Sequence, residues 1–459
     1  MPRKAVQWAT WDVTLAAVLE VIPMRRKAYA ATPVNGVDAA RLTRGPAQEP
    51  VVVGVDVGKR QLFAVCRWAD GAFERPWKAH NPADLPALVA LLRRLGTQRP
   101  LVVAMESSGT YGDALRQALA DANIPVHRVG TKAAHDYAEV FDGVPSQHDG
   151  KDAAVVAELA ALGKAVPWPY QPADDWEQEL AYWVDWVVAQ RRGLAMWQGR
   201  LEGLLARHWP EATRVLKLSS ATLLRVLAHY GSPQALAADP QAARRLARWG
   251  GRLLGPAKAQ RLVEAAHASQ GVRAGAWERR RLQDFAEQAL QARRQAARGQ
   301  RRLRQLAHGH AVLEAQGRVV GVPTACVLWA CTGDPRRYYA AAAYRKAMGL
   351  NLVERSSGEY QGALHLSKRG SARARQWLYF AALRLVQRAG VRDWWQAKKA
   401  SDPEAAKRLL VALMRKLALA LYQVGVRQQE FDVQRLFAPS AGRPRLSAAV
   451  SCAGVGGVE

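Results

Sequence analysis

From Val51 onward, short apolar runs alternate with longer stretches of helical period. Residues Val51 to Val57 read V-V-V-G-V-D-V, and Gly58 follows. A run this short and this apolar suits a buried strand. Leu62 to Trp68 and Phe73 to Trp77 flank Ala69-Asp70-Gly71, which signals a hairpin. Asp84 is placed to cap a helix running to about Leu95, before Gly96. Leu101 to Met105 is a second buried strand and ends on Glu106. A helix over Tyr111–Ala122, a strand over Ile124–Val129 and a helix over Asp149–Leu162 follow. Hairpin strands followed by strand–helix alternation predict an α/β domain over 51–165, a mixed sheet covered by helices. Asp56 and Glu106 then stand at neighbouring strand ends.

The pattern changes over 174–315. Leu282, Phe285, Ala289, Ala292, Ala296, Leu303, Leu306 and Leu313 recur at 3-4 spacing, with Gly299 and His310 in the two weak slots. Val187, Leu194, Trp197, Leu201 and Leu204 repeat the spacing earlier. Such seams predict a coiled coil or helical hairpin, and they offer a means of dimerising. The opposite face of the later helix carries Arg279, Arg280, Arg281, Arg293, Arg294, Arg298, Arg301, Arg302 and Arg304. A solvated face is the bland reading, but few acids interleave, so phosphate contact is at least as good. Residues 319–437 are again helical, with a glycine-rich irregular stretch between Gly349 and Gly370. Residues 1–50, punctuated by Pro33, Gly36, Gly45 and Pro46, read as a loosely ordered extension. The Pro-, Ser- and Gly-rich residues 438–459 read as a disordered tail.

Composition adds a partner to this outline. Hydrophobic residues make up 49% of 459, so the cores are well supplied. Against 66 Lys and Arg stand 39 Asp and Glu, a net charge of +27 that attracts polyanions, nucleic acid first. Cys66, Cys326, Cys331 and Cys452 form no C-x-x-C pair, which indicates neither a zinc site nor a disulfide framework and fits a reducing cytoplasm. No apolar run is read as long enough to span a bilayer, so no membrane partner is expected.

Four carboxylates carry the candidate chemistry. Phosphodiester chemistry commonly uses two divalent ions about 3.5–4 Å apart, and hard ions need several oxygen ligands gathered from different elements. Asp56 and Glu106 end two apolar strands, while Asp149 and Asp152, at i and i+3, share one face of a helix start. Asp149 alone is explained by the helix dipole. That explanation accounts less well for Asp152.

These residues also carry a resemblance. Gly54-Val55-Asp56-Val57-Gly58-Lys59, Met105-Glu106-Ser107-Ser108-Gly109-Thr110-Tyr111 and the block from Phe141 to Ala153 with Asp149-Gly150-Lys151-Asp152 resemble the three catalytic blocks of the DEDD insertion-sequence transposases. The likeness continues in Gly333-Asp334-Pro335, Gly349-Leu350, Glu354-Arg355-Ser356-Ser357-Gly358 and Ser367-Lys368-Arg369-Gly370, and so spans nearly all of 51–437. Val319 to Ala325 is similar to a helix-hairpin-helix turn, with Gly-Val-Pro where many relatives have Gly-Pro. The resemblance implies a RuvC-like N-terminal domain of RNase H type, a helical middle region and a mainly helical C-terminal transposase domain. It implies that Asp56, Glu106, Asp149 and Asp152 bind Mg²⁺, two ions to a site. It implies a serine nucleophile that joins covalently to DNA, Ser357 with Ser356 as the neighbouring candidate. Lys368 and Arg369 then serve developing phosphate charge or contact the backbone, and Arg293, Arg294, Arg298, Arg301 and Arg302 contact nucleic acid. Expected partners are double-stranded donor and target DNA, a non-coding bridge RNA that pairs with both, and further copies of the chain in a dimer or tetramer. The expected location is the cytoplasm, at the nucleoid.

Three other readings remain open on sequence. A junction endonuclease would use the same carboxylates without serine chemistry. An actin- or sugar-kinase-like phosphotransferase would suit Asp56-Val57-Gly58-Lys59, but needs a second phosphate loop and an adenosine pocket. A non-enzymatic nucleic-acid binder would use the basic helices and leave the four carboxylates without a role.

Overall fold

The computed structural model describes residues 29–436 except 43, 108, 144–147, 355, 357–361, 363 and 402–404. The chain divides into two compact units, Met1–Pro172 and Ala173–Glu459.

The first unit is a mixed sheet between helices. Its strands are β1 (Thr32–Pro33), β2 (Val51–Val57), β3 (Gln61–Arg67), β4 (Trp77–His80), β5 (Leu101–Glu106), β6 (Val126–Val129) and β7 (Val166–Pro167), in the order β1-β4-β3-β2-β5-β6-β7. β2 runs antiparallel to β3 and parallel to β5, and β5 runs parallel to β6. Helices α1 (Leu85–Gln98), α2 (Asp113–Asp121), α3 (Thr131–Asp142) and α4 (Asp149–Ala161) cover it. Alternation along β2 assigns the faces. Val51, Val53 and Val55 join Leu88 and Leu92 of α1 and Leu115 and Leu119 of α2 in one core. Val52 faces the other way, toward Val155, Val156 and Leu159 of α4.

Three expectations change here. The hairpin after β3 forms, but Phe73 makes only a bridge to Arg67, and the strand resumes at Trp77. Pro76 lies in that gap and has no N–H for a ladder bond. The extension is not loose over 29–42: Thr32–Pro33 pairs with β4, and Val34 and Leu42 are buried in the core. Residues 1–28 lie outside the described part. Helix α3 was not expected from the sequence, although Ala134, Tyr137, Ala138 and Phe141 stand at helical spacing and pack together against Val155, Val156 and Leu159.

The second unit is helical: α5 (Asp175–His208), α6 (Ala212–Val215), α7 (Ala221–Tyr230), α8 (Pro233–Ala237), α9 (Ala242–Gly250), α10 (Pro256–His267), α11 (Ala276–Ala307), α12 (Ala311–Val320), α13 (Val322–Thr332), α14 (Ala341–Ala347), α15 (Ala372–Leu385), α16 (Ala389–Ser401) and α17 (Ala406–Arg427), with a hairpin of β8 (Leu352–Val353) and β9 (His365–Leu366). The two predicted seams close on each other. α5 and α11 lie antiparallel, with the Trp176 indole donating to Leu306 O (3.0 Å) and the Trp186 indole to Gln295 O (3.3 Å). Gly299 is the weak slot because a Cβ there would stand 2.6 Å from Val187 Cγ2. His310, the other weak slot, caps α12 and stacks on Trp176 at 4.9 Å. The seam is therefore an intrachain hairpin, and it no longer supplies a surface for dimerising.

A boundary between 315 and 319 is not observed either. Leu180, Val184 and Val187 of α5 and Leu303 of α11 share a core with Leu410, Leu413 and Leu417 of α17. Leu201 and Leu205 of α5 and Leu282 and Ala286 of α11 share another with Leu223, Leu227 and Leu262. The hairpin threads both cores. α17 also corrects the expectation about membrane-length segments: by length and composition alone it could cross a bilayer, with a mean hydropathy of 1.6. Here Leu410, Leu413, Leu417 and Leu421 lie in the first core. The tail predicted over 438–459 lies outside the described residues.

Candidate metal centre

The centre begins with a glycine. An ideal Cβ at Gly54 would stand 2.1 Å from Ala153 O and 2.4 Å from Ala157 N, so α4 crosses β2 where only hydrogen fits. Asp56 is two residues further along the same face. On β5 the parity matches: Ala104 packs with the α4 residues Val155 and Val156, so Glu106 faces α4 too. Gly54 pairs with Ala104 and Val55 with Met105, and the same parallel register brings Asp56 beside Glu106. α4 starts at this end with Asp149 and Asp152 in its first turn.

Carboxylate oxygens of Asp56, Asp149 and Asp152 lie within 4.8 Å of one another. Glu106 falls outside that group of three, yet its charge still raises the pKa of both Asp56 and Asp152. Asp56 is pushed up to about 6, first by burial, then by Asp152, Asp149 and Glu106. Asp152 is raised by burial and then by Asp149 and Glu106. Like charges gathered in this way repel, and a cation among them relieves the repulsion.

The nearest lysine in sequence is committed elsewhere. Lys151 is buried, and its Nζ donates to Asp142 Oδ1 at 2.7 Å. Asp142 also accepts from the Tyr29 hydroxyl at 3.0 Å, and the Tyr29 ring stacks on His148, the residue that precedes α4. Arg67 on β3 pairs with Glu158 further along α4. These contacts fix the helix start that carries Asp149 and Asp152. This support was not legible in the sequence: Lys151 stands inside the Asp-Gly-Lys-Asp block, but nothing in the spacing shows that it turns inward. The donor set is all carboxylate, the chemistry that suits hard divalent ions rather than zinc. The residues fit a divalent metal.

The remaining candidates lie in the second unit. Ser357 lies outside the described residues. Ser356 is described: its hydroxyl donates to Glu354 Oε1 (2.6 Å) and accepts from Gly362 N (3.2 Å). Lys368 and Arg369 are exposed, and Lys368 holds the left-handed φ of +56°. Gly370 explains the bend that follows, since a Cβ there would stand 2.6 Å from both Gly349 N and Lys346 O. The two glycine motifs of the resemblance thus touch. Arg294 and Arg301 are exposed, as expected of a phosphate-facing stripe. Their neighbours have work inside the hairpin. Arg302 forks onto Glu179 at 2.6 and 2.8 Å, Arg298 covers the Trp183 ring, and Arg293 donates to Ser219 O.

A mixed sheet of this order, with carboxylates at adjacent parallel strand ends and on the covering helix, is an RNase H-like arrangement whose donor set suits phosphodiester chemistry. A sequence model of DEDD transposases of the IS110 type matches residues 53–210, and one described as "Transposase IS116/IS110/IS902 family" matches 315–399. Together they cover more than half of the chain, and the chain belongs to the IS110-type transposases, enzymes of DNA transposition. Among solved structures it is similar to RuvC of T. thermophilus in complex with a Holliday junction substrate, at 18% identity over 26% of this chain and 99% of that one, with a TM-score of 0.21. A second Thermus thermophilus RuvC structure gives 19% identity over the same shares and a TM-score of 0.20. The comparison with curated proteins gave no match.

Proposed function

We propose that this transposase cuts and rejoins donor and target DNA by transesterification, using Asp56, Glu106, Asp149 and Asp152 to hold two Mg²⁺ ions and Ser357 as the nucleophile. The observation that carries the reading is the carboxylate group of Asp56, Asp149 and Asp152 within 4.8 Å, with Glu106 at the adjoining strand end. When bound, the ions supply charge stabilisation to the attacking and leaving oxygens. The serine hydroxyl gives up its proton as its oxygen bonds to phosphorus, and the 3′-oxygen leaves and takes up a proton. An incoming 3′-hydroxyl later loses its proton as it bonds to the same phosphorus, and the serine oxygen leaves and is reprotonated. Arg294, Arg301, Lys368 and Arg369 bind the phosphate backbone. In the same reading a bridge RNA supplies sequence choice by base pairing, and the protein acts as a dimer or tetramer in the cytoplasm.

One observation favours Ser356 as a second reading. Its 2.6 Å bond to the Glu354 carboxylate has the geometry of a nucleophile beside its base. Purified protein supplied with Mg²⁺, the element's flanking RNA and paired DNA sites separates the two. Ser357→Ala should abolish a covalent protein–DNA adduct that Ser356→Ala retains, and the reverse result moves the nucleophile. Asp56→Ala should lower strand cleavage about a thousandfold, a loss of roughly 4 kcal/mol of transition-state stabilisation. Nicks made by hydrolysis, with no adduct, would replace recombination by junction endonuclease activity.

A further inference from the structure

Beneath the hairpin that carries the serine loop lies a cleft of about 810 Å³, between β8–β9 and the first half of α17. That volume is within the range of small-molecule sites. Residues 407, 408, 411, 412 and 415 of α17 line it, one helical face. The opposite face of α17 buries Leu410, Leu413 and Leu417 in the core. Lys368, Lys407, Arg408 and Arg415 surround the cleft, and no acid is among the described residues lining it. Apolar side chains line it as well, Leu352, Leu364 and Leu366 from the hairpin and Val411 from α17. Leu364 is 61% exposed, although a leucine next to a core this large has ample places to hide. Lys368 is held in the left-handed conformation at the rim, which is strained for a residue with a Cβ.

Cations and apolar side chains around one cleft match the two halves of a nucleotide, its phosphate and its base. A solvated basic face would explain the lysines but not the exposed Leu364 and Val353 beside them. We propose that this cleft binds one nucleotide of a DNA strand, its phosphate against Lys368 and Lys407 and its base against Leu352, Leu364 and Val411. DNA is the favoured strand because β8 and β9 flank the loop bearing Ser356 and Ser357, so a strand in the cleft lies at the base of that loop. The assignment rests on the DNA-cutting reading above but is tested without cleavage.

The experiment uses the full chain in EDTA and a fluorescein-labelled single-stranded DNA of about 30 nucleotides carrying 4-thiothymidine. Anisotropy gives affinity against KCl concentration, and photocrosslinks are mapped by mass spectrometry. Lys368→Asn with Lys407→Gln should weaken binding about tenfold and reduce the salt slope by about 0.7, one phosphate neutralised on a single strand. Asparagine tolerates the left-handed backbone at 368. Leu364→Ser should weaken binding with the slope unchanged. Crosslinks should fall within 352–368 or 407–415. The inference is overturned if crosslinks map elsewhere, or if Lys398→Gln with Lys399→Gln on α16 lowers the slope equally. It is also overturned as a DNA site if RNA of the same sequence binds more tightly and takes the crosslinks in the cleft. Loss of strand cleavage in Asp56→Ala does not enter any of these outcomes, so the two readings fail separately.

Discussion

In the sheet unit the chemistry-bearing side chains stand where the backbone leaves little choice, whereas in the helical unit they lie on exposed faces with room to move. Asp56, Glu106, Asp149 and Asp152 are set by strand parity, parallel register and a helix that touches β2 through Gly54. Arg294, Arg301, Lys368 and Arg369 are set by a helix surface and a turn. The first arrangement gathers like charges at an electrostatic cost and suits one small, highly charged partner. The second spreads charge and suits a long polyanion, whose contacts are additive and forgiving of position.

Gly54→Ala attacks the rigid half most directly. Its Cβ meets backbone atoms of α4 that no rotamer change can move. Urea unfolding should show a loss of about 3 kcal/mol or more, with Mg²⁺ affinity lost as Asp149 and Asp152 shift away. Unchanged stability would mean that α4 is not seated as described.

Lys151→Met tests whether the Tyr29–Asp142–Lys151 network holds the same helix. Removing one member of a buried ion pair should cost roughly 3 kcal/mol in the same assay. An equal loss on removing Tyr29 would show that the residues before the sheet belong to the catalytic unit.

Asp56→Asn should act in the opposite direction. The folded state keeps the Asp56 proton to about pH 6, well above the ordinary 3.8. Folded protein therefore binds that proton more tightly than unfolded protein does. Stability of the metal-free protein falls as pH rises through this window and levels off above it. The asparagine variant should be more stable than the parent by about 1–3 kcal/mol at pH 7 in EDTA, a range discounted for partial exposure. The difference should close near pH 4, and Mg²⁺ should stabilise only the parent.

The smallest effects sharpen the other half. Arg301→Ala should reduce the salt slope of duplex binding by about 0.9, one phosphate contact. Arg302→Ala should leave that slope nearly unchanged and lower the melting temperature slightly, since its guanidinium is spent on Glu179. Equal slopes for the two variants would dissolve the distinction between clamp and contact.

The contrast also explains what could be read in advance. β2, β5 and α4 were legible because burial on both faces imposes apolar runs, and carboxylates that end such runs stand out. The seams of α5 and α11 were legible as seams, but their partner was not. A heptad pattern states that a face is covered without saying whether the cover comes from another chain or from a hundred residues away in the same one. Lys151 and Arg302 illustrate the same limit for charge: a cation in a motif or stripe has a local position, while its acidic partner, Asp142 or Glu179, is fixed only by the fold. Thr32–Pro33 is too short to carry any period and is placed by pairing with β4 alone.

The hairpin of α5 and α11 has a mechanical side. Its helices have 34 and 32 residues, so each is a rod of about 50 Å at 1.5 Å per residue. Both rods begin in one core and end in the other. Neither core can melt without freeing half of the strut on which the other is built. Denaturation of this unit should therefore be one cooperative event, and a load applied at one core arrives at the other with little lost to bending.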